Sequence, residues 1–272
     1  MKVLCVGEMM VDLLVHPVGP VAFDNDASQV EEIAIRSGGD ANNNAIDLAK
    51  LGNEVYYVGR AGCDVLADYV LDIARKSGVC VDYVKRSSAT EQTKSLILID
   101  PSGNRKFLQY PGTSAEFSLD DVDLSLLDHV DLLQIGGTFH LPRFDGDGAA
   151  ELLRTAREKG VITCMDVTKD RTGRWDQIIH PCYRYLDYFL PSIEHCGHQA
   201  GDQGMLLQRW KDRVLLRMLS GSGSRDHRRG RRFCGRVPHC TGPPKGAGGL
   251  CPLCNGHICP RGASLWRHHG CA

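Results

Sequence analysis

The sequence predicts an α/β fold in which a mostly parallel sheet is covered by helices on both faces, with a small second sheet beside it. Apolar runs of strand length alternate with helical stretches of roughly ten to fifteen residues, an order typical of parallel sheets. Gly52, Gly78 and Gly160 follow helical stretches, and glycine is a common helix stop. A hairpin signal at residues 101–103 breaks the alternation and predicts the smaller sheet.

The individual elements follow from these patterns in chain order. A buried run at residues 2–6 predicts the first strand. Residues 13–36 lack helical periodicity and predict one or two short strands outside the main sheet, which we interpret as part of a lid with the hairpin at 93–110. The remaining strands are predicted at 54–59, 82–84, 130–136, 161–167 and 186–192, and the helices at 41–51, 65–77, 118–127, 148–159 and 175–182.

A glycine-opened polar turn precedes the first predicted helix. Gly38 and Gly39 let the backbone approach a bound molecule closely, and Asp40 and Asn43 supply polar groups at the helix N-terminus. Asp12 follows the first strand, and ligands of open α/β sheets bind beyond the carboxyl ends of strands. These residues suit the hydroxyl groups of a small polar ligand. Locally the glycine turn is equally typical of an ordinary capped helix, and Asp12 alone is more typical of a cap or turn residue, so both interpretations stay open.

Composition excludes some classes of partner and divides the chain in two. A net charge of −1 over 272 residues gives no bias towards nucleic acid, and no apolar run reaches the ~20 residues of a membrane span, so we expect a cytoplasmic protein. Residues 1–195 contain 19 Lys and Arg against 30 Asp and Glu, whereas residues 196–272 contain 13 against 3. Seven of the 12 cysteines lie in that last part. The break requires its own explanation.

Six ordered motifs in residues 1–194 resemble the ribokinase (PfkB) family of carbohydrate kinases. Their order and spacing make the resemblance specific, whereas any one of them alone is weak. The motifs are Gly7-Glu8 with Asp12, the stretch from Gly38 to Gly52, Val58 to Asp64, Gly103 to Phe107, Asp166 to Asp170, and Leu190 to Glu194.

The resemblance implies a ribokinase-like fold, with a mostly parallel sheet, helices on both faces and a small β lid over the sugar. It implies an ATP- and Mg²⁺-dependent kinase that phosphorylates a hydroxyl of a sugar or sugar acid. A homodimer through the lid is an open expectation. The sugar contacts that it implies are Asp12, Gly38, Gly39, Asp40 and Asn43, with Arg105 in the lid, Tyr110 as a weaker candidate, and Asp166 and Asp170 along the cleft.

Several departures affect the phosphate-handling part of the family pattern. Cys63 and Ala67 replace the usual Asp and Gly of one turn, Ser192 replaces the Asn of the Pro-Asn-x-x-Glu motif, and His195 stands in the place of its Glu. The Gly-Ala-Gly-Asp signature, whose Asp is the general base of the family, is absent from this sequence. The C-terminal part of the fold is therefore expected to be missing, with no catalytic base in this chain.

A shifted reading frame explains the composition of the tail. If the last two nucleotides of each codon are read with the first of the next, permitted codons turn residues 226–233 into Thr-Thr-Gly-Ala-Gly-Asp-Ala-Phe. In the same frame, residues 247–254 become Leu-Glu-Ala-Cys-Ala-Arg-Phe-Ala and residues 266–270 become Gly-Ala-Thr-Thr-Gly. We infer a frameshift between about residues 192 and 196, as a genuine lesion or a sequencing error, and expect residues 195–272 to be an aberrant, largely disordered tail.

Two other interpretations of the tail remain open. Cys251 and Cys254, with His257 and Cys259, have partial zinc-ligand spacing. The arginine cluster at residues 225–236 is a pattern that can bind nucleic acid, and residues 206–219 have an apolar pattern compatible with a helix. For the whole chain two functions are weighed: an active carbohydrate kinase, and a sugar-binding remnant without catalysis.

Overall fold

The computed structural model describes residues 1–19 and 27–191 with their side chains, and the backbone of residues 204–210 and 213–219. All of these residues fall in the first of the two units of the chain, Met1–Ser220.

The described helices and strands alternate along most of the chain. The helices are α1 Asp40–Lys50, α2 Val65–Lys76, α3 Asp147–Glu158 and α4 Trp175–Ile179. The strands are β1 Lys2–Gly7, β2 Met10–His16, β3 Glu32–Gly38, β4 Glu54–Val58, β5 Arg60–Ala61, β6 Val79–Cys80, β7 Lys85–Arg86, β8 Lys94–Ile99, β9 Arg105–Tyr110, β10 Leu132–Thr138, β11 Ile162–Val167, β12 Tyr188–Phe189, β13 Gly204–Trp210 and β14 Arg213–Leu219.

The central sheet has the strand order β14-β13-β12-β11-β10-β1-β4-β6. Its strands from β6 to β12 pair in parallel, because each crossover returns the chain to the same end of the sheet. β1 is buried from Val3 to Gly7 with no polar alternation, as expected for a strand that is covered on both faces. The predicted parallel sheet is confirmed.

Helices cover both faces of this sheet. Leu4 and Val6 of β1 belong to a core cluster with Leu152 and Leu153 of α3. Successive side chains of a strand point to opposite faces, so Cys5 faces the other side, where α1 contacts β1, β4 and β10. The apolar residues of α1 that are buried, such as Ile46, lie outside that core cluster.

The lid is a separate four-stranded sheet with the order β3-β2-β8-β9. β2 pairs in parallel with β8, while β2 with β3 and β8 with β9 form antiparallel pairs. Every residue of β9 is exposed, and the burial of β2 decreases from Met10 towards His16. The lid strands predicted within 13–36 and 93–110 are confirmed, although β2 begins three residues earlier than predicted. This places Asp12 within the lid sheet.

Four predictions of local structure are wrong. Residues 82–84 form a turn, in which the N–H of Val84 donates to the carbonyl of Val81 at 3.1 Å, and short strands lie on either side. The predicted helix at 118–127 is two 3-10 helices, because Val122 between them has extended dihedral angles. The helix predicted at 175–182 ends at Ile179, and the strand predicted at 186–192 is only Tyr188–Phe189.

The central sheet continues past residue 194 with two antiparallel strands. β13 pairs with β12, and β14 pairs with β13 along its whole length. The prediction of a helix at residues 206–219 is therefore wrong. An apolar run without a strict period fits a helix or a strand, and here the pairing with β12 decides for strands. The predicted tail motifs, from Arg225 onward, lie outside the described residues, as does most of the expected disordered tail.

Candidate functional site

Predicted site residues from three parts of the fold meet at the carboxyl edge of the central sheet. β1 ends at Gly7, β10 at Thr138 and β11 at Val167, and these neighbouring parallel strands end on the same side. α1 begins at the same edge, and β2 of the lid starts two residues after Glu8. Side chains that follow these strands are therefore brought together, as the strand-end rule predicts.

The glycine turn lies against the backbone after β1. Gly39 has φ +92°, and a Cβ at this position would lie 2.5 Å from the carbonyl oxygen of Glu8. The same carbonyl accepts a hydrogen bond from the N–H of Asn42 at 3.2 Å. A side chain at position 39 would separate these two segments, so glycine is required for α1 to begin this close to β1.

Asp12 occupies the space that Gly38 leaves free. A Cβ on Gly38 would collide with the Asp12 carboxylate and lie 2.8 Å from its Cγ. Burial and, after it, the negative charge of Glu8 raise the pKa of Asp12 to about 6. Asp12 is half-buried, and its carboxylate oxygens can accept hydrogen bonds from ligand hydroxyl groups.

Asp40 begins α1 and lies among other acidic groups. Burial is the largest cause that raises its pKa to about 7, followed by the charges of Asp166 and Glu8, while His140 acts in the opposite direction. Ionisation at this position costs free energy, although the helix N-terminus compensates for part of it. Carboxyl groups whose pKa is raised in this way are typical of ligand sites.

The asparagines that follow divide into two roles. Asn42 is buried, and its Nδ2 donates to the Ser37 hydroxyl at 2.8 Å and to the Gly38 carbonyl at 3.1 Å, so it holds the turn in place. Asn43 is exposed on the first turn of α1. Its sugar contact stays a prediction. The structural role of Asn42 was not predicted.

Of the other predicted residues, Arg105 lies far from this cluster, and Asp170 forms hydrogen bonds within its own turn. In the register of the lid, Asp12 of β2 lies opposite Ser95 of β8, which lies opposite Gln109 of β9. Arg105 lies four residues before Gln109, which is roughly 13 Å along β9. Asp170 accepts hydrogen bonds from the Thr172 N–H at 2.7 Å and the Thr172 hydroxyl at 2.8 Å, and so caps its own turn. Tyr110, the weaker candidate, has the ammonium of Lys94 5.1 Å from its ring centre.

Sequence reasoning did not predict Glu8 and His140 as functional candidates, because the two residues that form this pair are distant from each other in sequence. Nδ1 of His140 lies 3.2 Å and 3.1 Å from the two carboxylate oxygens of Glu8, although 132 residues separate them. Asp166, which was predicted, lies at the end of β11 close enough to influence Asp40 electrostatically. Glu8 belongs to the first family motif but was given no role there, and the only sequence signal for His140 was a position just beyond a buried strand.

No group of three or more His, Cys, Asp or Glu side chains in the part of the chain that the structure describes is arranged to hold a metal ion. The residues expected to hold ATP follow Glu194 in the sequence and lie outside the described side chains. Among the helices described, none is long and apolar enough to cross a bilayer.

Comparison with known proteins identifies similar chains. A 2-dehydro-3-deoxygluconokinase from Haemophilus influenzae is 26% identical over 226 residues, which cover 78% of this chain and 66% of that protein. A 5-dehydro-2-deoxygluconokinase from Clostridium perfringens is 25% identical over 162 residues, so that the match spans only 48% of the relative's length. The ribokinase of Arabidopsis thaliana, solved with ribose and ATP, has a TM-score of 0.61 at 19% identity and matches 75% of this chain and 62% of that one.

The family model for "pfkB family carbohydrate kinase" matches residues 1–221, which extends beyond the six motifs and includes β13 and β14. Since this match covers most of the chain and the solved kinases share its sheet and lid, the protein belongs to the pfkB family of carbohydrate kinases.

Proposed function

We propose that this chain binds a small sugar or sugar acid at the cluster of Asp12, Gly38, Gly39, Asp40 and Asn43, with Asp166 at its edge. The observation that carries the proposal is the convergence of Asp12 from the lid and Asp40 from α1 on one glycine turn. Paired acceptors of this kind select hydroxyl groups. Arg105 and Asp170 stay predicted contacts. A larger substrate, or a movement of the lid, would be needed to bring them to the sugar.

Replacing Gly38 by Ala tests this assignment. The added Cβ would displace the Asp12 carboxylate, so we expect the affinity for sugar to fall about tenfold or more, the value of one or two hydrogen bonds. The measurement is a calorimetric titration with ribose, fructose and 2-keto-3-deoxygluconate. Gly19→Ala is the control, because a Cβ there meets nothing within 4 Å. Failure of every sugar to bind, or equal affinity in Gly38→Ala, would contradict the proposal.

We propose further that the family's activity, phosphoryl transfer from ATP with Mg²⁺ to a sugar hydroxyl, is lost from this chain through the frameshift near residue 195. The Gly-Ala-Gly-Asp sequence, absent here, supplies in this family the general base and an anion hole. The chain as written is then a sugar-binding remnant in the cytoplasm that binds no nucleic acid. Sequencing the coding region decides the cause, since an uninterrupted frame relative to an intact relative excludes a frameshift.

We also propose that two copies associate through one face of the lid. A row of apolar side chains crosses all four lid strands, because Ile35 pairs with Leu13, Leu13 with Leu96, and Leu96 with Leu108. Ile35 is 41% exposed and Leu108 is 51% exposed, and Ile33 in the next row is 67% exposed. Contiguous apolar rows of this size are typical of protein interfaces.

Leu108→Asp is expected to convert the dimer into a monomer, because a charge on the edge strand of this row would be buried in the interface without a partner. Sedimentation velocity across a range of concentrations measures the change. Val65→Asp is a matched control, since Val65 is 77% exposed on α2 and outside the lid. A wild-type protein that sediments as a monomer at every concentration would contradict the lid dimer.

A further inference from the structure

We propose that His140 is a sugar-binding residue, whose Nε2 forms a hydrogen bond with a substrate hydroxyl, and that Glu8 and Asp145 are the residues that position it. This inference rests on the proposed sugar site and adds a residue from a different part of the chain. Three observations carry it: the anchoring of one ring nitrogen, the strained turn that presents the ring, and the link through Glu8 to the glycine turn.

Glu8 fixes one side of the imidazole. Both carboxylate oxygens of Glu8 lie within hydrogen-bond distance of Nδ1, and the Ser114 hydroxyl donates to one of them at 3.4 Å. Glu8 itself is only 3% exposed. A buried carboxylate next to an imidazole seldom adds net stability, because desolvation offsets the attraction, so a role in orienting the ring is the better explanation. Nε2 has no hydrogen-bond partner in the described part of the chain.

The turn that carries His140 is strained. Phe139 has φ +80° and is the one residue other than glycine with positive φ among the described residues. Asp145 stabilises this conformation, since its Oδ2 accepts hydrogen bonds from the N–H groups of Phe139 at 3.0 Å and Leu141 at 3.2 Å. The Phe139 ring stacks on Trp175 with centroids 5.3 Å apart. Backbone strain held by several contacts is characteristic of ligand-binding positions.

Glu8 connects the His140 ring to the glycine turn. Its carboxylate lies beside Nδ1 of His140, and its carbonyl oxygen accepts the hydrogen bond of the Asn42 N–H at 3.2 Å and lies against Gly39. Burial and the charge of Arg171 lower the pKa of His140, but the hydrogen bond and charge of Glu8 and the charge of Asp40 outweigh them, so the pKa is raised. A sugar hydroxyl can accept from Nε2–H of the imidazolium or donate to Nε2 of the neutral ring, so the contact is available in both protonation states.

The test compares His140→Phe, which keeps an aromatic ring without nitrogens, with His140→Gln, which keeps a polar group. Calorimetric titration uses ribose, fructose, 2-keto-3-deoxygluconate and single-deoxy analogues of whichever sugar binds. We expect His140→Phe to weaken binding about 10- to 100-fold, His140→Gln to recover part of the loss, and the exposed His129→Gln control to match wild type. For one deoxy analogue, wild type should bind the analogue more weakly than the parent sugar, whereas His140→Phe should bind the analogue and the parent sugar with equal affinity.

That last comparison separates a contact from a structural role, which would weaken all analogues alike. A folded His140→Phe variant with wild-type affinity would overturn the inference while leaving the sugar site intact, whereas failure of any sugar to bind wild type would overturn both. If His140→Phe does not fold, ¹⁵N spectra of histidine-labelled wild type decide the question. Sugar must shift one Nε2 resonance that His140→Gln lacks, and spectra that do not change on addition of a bound sugar would contradict the inference.

Discussion

The purified chain is expected to release no ADP above the sugar-free background, whereas a frame-corrected chain is expected to turn over. Loss of a general base lowers the turnover rate about 10²–10⁴-fold. Loss of an anion hole lowers the turnover rate by a further factor of about 10²–10³. Both features belong to the Gly-Ala-Gly-Asp sequence, which this chain lacks. Because the sugar cluster is formed by residues 8–166, restoring the frame after residue 195 changes the catalytic part and leaves the cluster's own residues unaltered.

A coupled assay for ADP release, run with ATP, Mg²⁺ and a panel of sugars and sugar acids, measures this difference. The control is the frame-corrected chain in which the aspartate of the restored signature is replaced by asparagine, which should return to background. Robust sugar-dependent turnover by the chain as written would contradict the remnant interpretation. An inactive but sugar-binding chain, together with an active corrected chain, would support it and name the substrate.

Asp40→Asn is expected to stabilise the fold by about 1–3 kcal/mol at pH 8 and to abolish measurable sugar binding. The pKa of Asp40 is raised to about 7, so the folded protein keeps a proton that the unfolded chain releases from about pH 4 upward. Wild-type stability therefore falls as the pH rises from 4 to 7, and the loss is complete above 7. Asparagine does not ionise, and its amide replaces an acceptor with a donor.

Denaturant unfolding from pH 5 to pH 8 tests the sign of this effect. The difference between Asp40→Asn and wild type should grow with pH and level off above pH 7. Asp145, whose pKa is raised to about 7, titrates in both proteins. Asp12, whose pKa is raised to about 6, repels Asp40, and the loss of this repulsion in the variant adds to the difference in the same direction. Asp47→Asn, on the exposed face of the same helix, is the control and should change stability little at any pH. A variant that is less stable than wild type at pH 8 would contradict the prediction.

Much of the fold could be predicted because its elements are specified locally. β1, α1, α2 and α3 have buried runs or helical spacing closed by glycine, and their observed bounds differ from prediction by at most one residue at either end. The failures occurred where local signals are weak. The turn at 82–84 and the interrupted helix at 118–127 depend on single turn residues, and residues 206–219 became strands by pairing with β12 and with each other.

Sequence reasoning was enough to identify the family and to predict half of the proposed sugar site, because the motif from Gly38 to Asn43 is contiguous and its residues share one turn. Three further features became visible in the folded chain: Glu8 meets His140 across 132 residues, the Asp12 carboxylate lies against Gly38, and Arg105 lies at the far end of the lid. Local dihedral preferences fix turns and helix ends, whereas contacts between strand ends depend on strand order and register, which no single segment encodes.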